Sequence, residues 1–288
     1  MPEFLITDEE LTGLKGKVVV LTGGSSGIGL ATVQLLLSLG AFVVNGDVAP
    51  TAEPQAAGYT WVKTNVANWA DLTALFKEAK KIHGRIDHIF ANAGLGPRAD
   101  YFSMEVDENG DLKEPTYDLI DVSMKGVMNT VTLALYYMRQ QAEGGSIVVN
   151  GSTMGIQRCR AVDYATAKHA VTGFARGLHP ILVDTKLPIR INTLAPTWTE
   201  TAVLPGLKET MAKIGVEIQS ANSVARAAVM LMANTDRKGE LIHVQRGKYQ
   251  EIDEAILLPV VDGIRKDYPA EDDVLRRALA AMAEAAQS

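Results

Sequence analysis

From Lys17 onward, short apolar runs alternate with longer runs of helical periodicity. Val18 to Thr22 (VVVLT) has the length and β-branched content of a buried strand, and Gly27 to Gly40 has a helical pattern closed by a glycine. Ala41 to Asp47 reads as a second strand and Tyr59 to Val66 as a third. Asp71 to His83, followed by Gly84, reads as a helix, and Ile86 to Gly94 as a fourth strand running out into Asn-Ala-Gly. Pro115 to Gln141 is a long helical stretch, Ser146 to Ser152 a fifth strand and Val162 to Val183 another long helix. Pro188 to Pro196 reads as a sixth strand, Ala221 to Ala233 as a helix and Gly239 to Gln245 as a seventh strand.

Strand and helix in steady alternation predict an α/β fold, because parallel strands need crossover connections. The expected architecture is a doubly wound Rossmann sheet with helices on both faces, forming one catalytic domain over residues 1–250. Two stretches break the rhythm. Pro97 to Glu114 is polar, acidic and rich in turn residues, as expected of a surface excursion. Thr197 to Ser220 follows the sixth strand, where a doubly wound sheet opens its ligand crevice, and reads as a lid over a substrate. Its Trp198, Leu204, Leu207, Met211 and Ile214 are apolar, which suits either a hydrophobic substrate or plain packing. Residues 251–288 form a helical extension, Glu271 to Ala286 most clearly, expected to pack on the same domain or to serve an oligomer contact.

Composition narrows the field. The chain has 288 residues, 47% hydrophobic, with a formal net charge of -6 and no clustered basic face, so no nucleic-acid partner is expected. No run approaches the roughly 20 apolar residues of a membrane span. The N-terminus carries acids where a signal peptide carries bases. With one cysteine, Cys159, no intrachain disulfide can form, and a cytoplasmic location is expected. The five histidines lack metal-ligand spacing, so no metal is expected.

The candidate chemistry begins at Thr22 to Gly29 (TGGSSGIG), between the first strand and the first helix. Gly23, Gly27 and Gly29 would let the backbone approach a pyrophosphate, with Ser25, Ser26 and Ile28 in the same turn. Asp47, ending the second strand, can accept both hydroxyls of an adenosine ribose and would repel a 2′-phosphate. Ser26 offers no cation to that phosphate, so NAD is expected over NADP. Asn65 and Val66 follow the third strand and would line the adenine. Tyr164 and Lys168 (YATAK) lie one helical turn apart on one face. An ammonium there favours the phenolate of a tyrosine whose ordinary pKa is about 10. Ser152, closing the fifth strand, would hydrogen-bond a substrate oxygen. Cys159 lies between Arg158 and Arg160 in the loop before Tyr164, where cations favour a thiolate; the plainer reading is a loop residue near the pocket mouth.

Taken together, TGGSSGIG, Asn92-Ala93-Gly94, Ser152, YATAK and Asn192 to Pro196 (NTLAP) resemble the short-chain dehydrogenase/reductase family, in the family's order from about Lys17 to Gln245. The resemblance implies a seven-stranded parallel sheet. It also implies Tyr164 as acid–base, Lys168 as ribose ligand lowering the tyrosine's pKa, and Ser152 as the group polarising the substrate. Asn92, Ala93 and Gly94 would flank the cofactor, with Asn92 bracing the sheet, while Pro196, Thr199 and Thr201 would hold the carboxamide. Three departures stand out: Ser123 replaces the usual relay asparagine, Thr197 the usual glycine after Pro196, and the seventh strand lacks its glycine pair.

Within the family, Asp47, the run from Lys168 to Leu178 and the acidic stretch before Pro115 are similar to the NAD-linked 15-hydroxyprostaglandin dehydrogenase-like branch. That implies hydride transfer between a lipophilic secondary alcohol or ketone and NAD in a homodimer, with a tetramer as the alternative. Two other readings stay open. One is a natural-product tailoring ketoreductase or a non-redox isomerase or cyclase, given Ser123 and Thr197. The other is a catalytically poor nucleotide-binding sensor or scaffold, against which the intact Ser152, Tyr164 and Lys168 argue.

Overall fold

The first strand, β1 (Val18–Thr22), is buried at all five positions because helices cover both faces of the sheet. The computed structural model describes residues 3–51, 56–201 and 206–286. After β1 come α1 (Gly27–Ser38), β2 (Phe42–Asp47), β3 (Tyr59–Lys63), α2 (Trp69–His83) and β4 (His88–Ala91). Then α3 (Asp118–Ile120) passes through a π turn (Asp121–Lys125) directly into α4 (Gly126–Met138). The chain continues with β5 (Gly145–Asn150), α5 (Val162–Asp184), β6 (Ile189–Pro196), α6 (Leu207–Lys213) and α7 (Ala221–Ala233). It closes with β7 (Leu241–Gln245), β8 (Lys248–Glu251), α8 (Leu258–Arg265) and α9 (Glu271–Ala285).

Strand order is β3-β2-β1-β4-β5-β6-β7-β8. The first seven strands are parallel, and the order reverses between β1 and β4, the point where open α/β sheets bind ligands. Alternate residues of β1 feed two cores. Val19 and Leu21 pack with Val33 and Leu36 of α1 and with α7, while Val20 packs with Leu72, Leu75 and Phe76 of α2, Val131 of α4 and Val171 of α5. Two helix ends are set by single residues. Asn68 caps α2 by accepting from Ala70 and Asp71, and Gly84 ends it in the left-handed conformation.

The sheet has one strand more than expected. β8 runs antiparallel to β7, and Gln245 pairs with Lys248 across a two-residue turn. Arg246 and Gly247 both take positive φ, 52° and 74°, the conformation of a tight hairpin turn. Phe4 pairs with Tyr249 on the outer edge of β8 through two backbone hydrogen bonds. The expected boundary after residue 250 therefore falls inside β8. Beyond it, the Glu251 carboxylate accepts from the backbone N–H groups of Asp253, Glu254 and Ala255, and Arg176 of α5 pairs with Asp253 at 2.9 Å. Neither α8 nor α9 contains a buried residue. Among the described residues, no helix is long and apolar enough to cross a membrane.

Candidate active site

At the C-terminal end of β1 the chain turns through Gly23 to Ser26 and enters α1. A Cβ on Gly29 would collide with the Gly23 carbonyl oxygen, so only glycine lets the helix start this close to the strand end. A Cβ on Gly27 would sit 3.0 Å from Thr201, which overhangs the turn. Ser26 makes no side-chain capping bond, so the leading N–H groups of α1 face the cleft without one. The turn is pinned from behind: Gly24 N–H donates to Asn45 Oδ1 at 2.8 Å and Ser25 N–H to Asp47 Oδ2 at 2.9 Å. The Ser25 hydroxyl donates to the Ala49 carbonyl, so Ser25 braces the loop and is not on the cleft wall. Asp47 Oδ1 also accepts from Ala49 N–H, which leaves further acceptor positions on the carboxylate.

Asn92 joins three strand ends. Its amide donates to the Thr22 and Gly23 carbonyls, and its oxygen accepts from Asn150 Nδ2 at 2.8 Å. Ala93 and Gly94 line the cleft beside it, as do Gly23, Ser26, Gly27 and Ile28. Asn65 and Val66 line it beyond β3, and the Asn65 oxygen accepts from Ala67 N–H. Ser123, in the π turn, is fully buried, and its Oγ accepts from Leu95 N–H at 2.9 Å. It therefore anchors the backbone just beyond Gly94 and is not on the cleft wall.

Ser152, Tyr164 and Lys168 converge beyond β5. Ser152 is buried, its hydroxyl accepting from Met154 N–H and acting to favour the Tyr164 phenolate. Tyr164 lies in the first turn of α5, whose entry is fixed by the buried Asp163 carboxylate. That carboxylate accepts from the N–H groups of Arg98 and Ala99, each at 3.0 Å, and of Tyr164 at 2.8 Å. Burial pushes the Asp163 carboxyl up, but these backbone bonds outweigh it and hold it below its ordinary value. Lys168 is buried one turn on, its Nζ donating to the Asn150 carbonyl at 2.7 Å and lying 5.6 Å from the Tyr164 ring centre. Burial lowers Lys168 to about 8. Burial also raises the Tyr164 hydroxyl, outweighing the lowering influence of Ser152, and Cys159 adds to the rise.

The cleft between these groups holds about 790 Å³ and runs from Asp47 to Tyr164. Pro196, Thr197, Trp198, Thr199, Thr201 and Leu207 close its far side. The segment expected to act as a lid is tied at its neck: Gln219 N–H donates to the Trp198 carbonyl and Glu200 N–H to that of Gln219. The buried Gln219 side chain also donates to Thr197 Oγ1, Thr199 Oγ1 and the Val244 carbonyl, and accepts from Arg246 N–H. Of the apolar lid positions, Trp198 and Leu207 line the cleft, Met211 is buried and Ile214 is exposed. Leu204 lies outside the described residues. Thr197, in place of the family's glycine, bonds the Val244 carbonyl through both its N–H and its hydroxyl.

Gln219, Asn150 and Asp163 are the structural supports that motif reading missed. Asn150 carried a local signal, a polar residue closing an apolar strand just before Gly151 and Ser152. Among the described residues its side-chain oxygen is buried without a hydrogen bond. With the uncapped start of α1, the glycine cradle and the spare acceptor positions of Asp47, this donor and acceptor set suits a nicotinamide dinucleotide.

A doubly wound sheet with this cradle and this serine–tyrosine–lysine cluster defines a short-chain dehydrogenase, and the chain belongs to that family, whose sequence model (short chain dehydrogenase) matches residues 17–212. The chain is similar to the short-chain dehydrogenase/reductase ascJ of Acremonium egyptiacum, 51% identical over 290 residues covering 98% of this chain and 97% of that protein. It is 28% identical over 275 residues to a 5′-hydroxyaverantin dehydrogenase of Dothistroma septosporum, covering 84% of this chain and 89% of that one. Among solved structures, a 3-ketoacyl-(acyl-carrier-protein) reductase from Brucella melitensis, complexed with NADH, has the same fold. Its TM-score is 0.68 at 22% identity, covering 80% of this chain and 97% of that one.

Proposed function

We propose that the protein is an NAD-dependent oxidoreductase that oxidises a lipophilic secondary alcohol to a ketone, or runs the reverse reaction. The observation that carries this reading is the convergence of Ser152, Tyr164 and Lys168 at one end of a cleft whose other end presents Asp47. Gly23, Ser26, Gly27 and Ile28 would hold the pyrophosphate of NAD, with Gly29, buried off the cleft wall, letting α1 start close to the strand end, Ser25 bracing the turn, and Asp47 holding the adenosine ribose. Asn65 and Val66 would flank the adenine; Ala93, Gly94, Pro196, Thr199 and Thr201 would border the nicotinamide half. When bound, NAD supplies the hydride acceptor and, in its oxidised form, a positive charge. Burial raises the Tyr164 hydroxyl, so that charge, together with the Lys168 ammonium, is what would bring the phenol within working range.

In the forward direction Tyr164 Oη takes the alcohol proton as the carbon loses its hydride. Ser152 holds the substrate oxygen through its hydroxyl. Lys168, fixed by the Asn150 carbonyl, positions the ribose and favours the phenolate electrostatically. Ser123 would contribute indirectly, by fixing the Leu95 backbone. Leu95, Trp198 and Leu207 offer the apolar surface for the substrate. This keeps the substrate type of the 15-hydroxyprostaglandin dehydrogenase-like branch, and the likeness to a 5′-hydroxyaverantin dehydrogenase supports an alcohol as donor. That likeness is equally compatible with a natural-product tailoring ketoreductase, the same chemistry run toward the alcohol. A homodimer in the cytoplasm completes the reading. The exposed Tyr136 of α4 and Ile181 and Val183 of α5 supply apolar surface for the partner, and the single cysteine suits a reducing compartment.

The test is NADH formation with a panel of aryl and alkyl secondary alcohols. Turnover with a matching rise in NADH absorbance supports the reading. Product formed without any change in NADH would favour a non-redox isomerase or cyclase, and tight NADH binding without product a sensor or scaffold.

A further inference from the structure

The loop joining Ser152 to Tyr164 brings two arginines to the reacting end of the cleft. Arg158 and Arg160 both line it, and among the described residues neither makes an ion pair or hydrogen bond. They flank Cys159, which lines the same cleft as Tyr164. The one acid of this loop, Asp163, and the one acid among the described residues lining the cleft, Asp47, are committed elsewhere. Asp163 is buried and engaged by three backbone N–H groups. Asp47 serves the Ser25 turn at the end of β2, three strand positions from β5, roughly 14 Å at about 4.8 Å per strand.

Charge is therefore sorted along the cleft. Its charged lining residues are Asp47 at the cofactor end and Arg158, Arg160 and Lys168 at the other, in a chain whose net charge is -6. A cleft lined by one sign of charge concentrates ligands of the opposite sign. A guanidinium presents a planar fork of donors that matches a carboxylate or similar oxyanion. Apolar surface from Leu95, Trp198 and Leu207 adjoins these donors.

We propose that the substrate is an anionic lipophilic alcohol whose carboxylate or ionised phenol is held by Arg158 and Arg160 while its carbinol carbon faces Tyr164. The proposal rests on the dehydrogenase reading above and adds the charge class of the substrate. Neutral analogues enter the same apolar surface but forfeit the oxyanion contacts, so the arginines select among alcohols and do no chemistry themselves.

The experiment compares para-(α-hydroxyethyl)benzoate with its methyl ester, measuring kcat/KM with saturating NAD. The acid should be favoured by about tenfold, the worth of two exposed charge-assisted pairs, and the preference should shrink with added salt. In Arg158→Gln/Arg160→Gln the acid-to-ester ratio should fall toward one, and in Arg158→Lys/Arg160→Lys it should recover in part. An ester used as well as the acid by the wild type, or a ratio unchanged in the glutamine variant, overturns the proposal. Calorimetric titration with para-acetylbenzoate and its methyl ester separates this from the dehydrogenase reading. If neither alcohol is oxidised, that reading fails; tighter binding of the acid, lost in the glutamine variant, still supports the anion site, and equal binding overturns it.

Discussion

Replacing Asp47 with asparagine isolates the charge on which NAD selection is proposed to rest. Asparagine keeps an oxygen for the Ser25 N–H, which Asp47 now accepts at 2.9 Å, and gives up only the longer, exposed bond from Ala49 N–H at 3.3 Å, so the turn before α1 should hold. What changes is the field at the ribose. A 2′-phosphate beside the wild-type carboxylate would place like charges about 4 Å apart, at a cost of about 1–4 kcal/mol per charge pair for effective dielectrics between roughly 80 and 20. Relieving about 2 kcal/mol of that repulsion should tighten NADPH binding roughly 30-fold. NADH should weaken by about 1 kcal/mol, or roughly fivefold, as charge-assisted bonds to the ribose become neutral ones. Parallel fluorescence titrations with NADH and NADPH read both constants, and the ratio of the two should move by about two orders of magnitude toward NADPH. A wild type that already prefers NADPH, or a variant with an unchanged ratio, would refute this role for Asp47.

Three further outcomes follow from the geometry. Gly29→Ala sets a methyl against the Gly23 carbonyl and the Asn92 amide, so NADH affinity should fall more than tenfold by titration, with a stability loss of about 1–3 kcal/mol by urea denaturation. Gln219→Leu strands the Arg246 N–H and loosens the lid neck by removing the side-chain bonds to Thr197 and Thr199; it should cost about 1–3 kcal/mol and raise KM more than it lowers kcat. Lys168 is lowered by burial from its ordinary 10.5 to about 8, so between those pH values the unfolded chain binds more protons than the native one. Native stability should therefore rise with pH across that window, and below it the burial penalty is present in full. Relative to Lys168→Met, the wild type should gain about 3 kcal/mol between the two pH values in denaturant titrations; a flat difference would contradict the buried ammonium.

What could be read from the chain and what could not divide along physical lines. The glycine turn, the serine at a strand end and the tyrosine–lysine pair are local features, since each is set by strand or helix period within a few residues. Asp47 was readable for the same reason, as the polar residue closing an apolar strand. Gln219 was not. Its role exists only where β6, β7 and the lid meet, and its partners Thr197, Val244 and Arg246 are distant in the chain. The eighth strand hid behind its turn: Arg246 takes a positive φ that glycine or asparagine usually fills, so no hairpin signal marked Lys248–Glu251. Asn68 capping α2 explains why that helix starts at Trp69, ahead of the apolar pattern that placed its start at Asp71. Ser123 was recognised as a departure, but its bond to Leu95 N–H depends on a π turn that no periodicity reports.

The most direct test of Tyr164 as the acid–base group is a pair of measurements on Tyr164→Phe: NADH binding by fluorescence, and single-turnover oxidation of an alcohol the wild type accepts. Phenylalanine keeps the ring beside Lys168 and removes only the hydroxyl, so the expected result is near-native NADH affinity with hydride transfer lost by several orders of magnitude. Turnover retained at a rate close to that of the wild type would contradict the assignment.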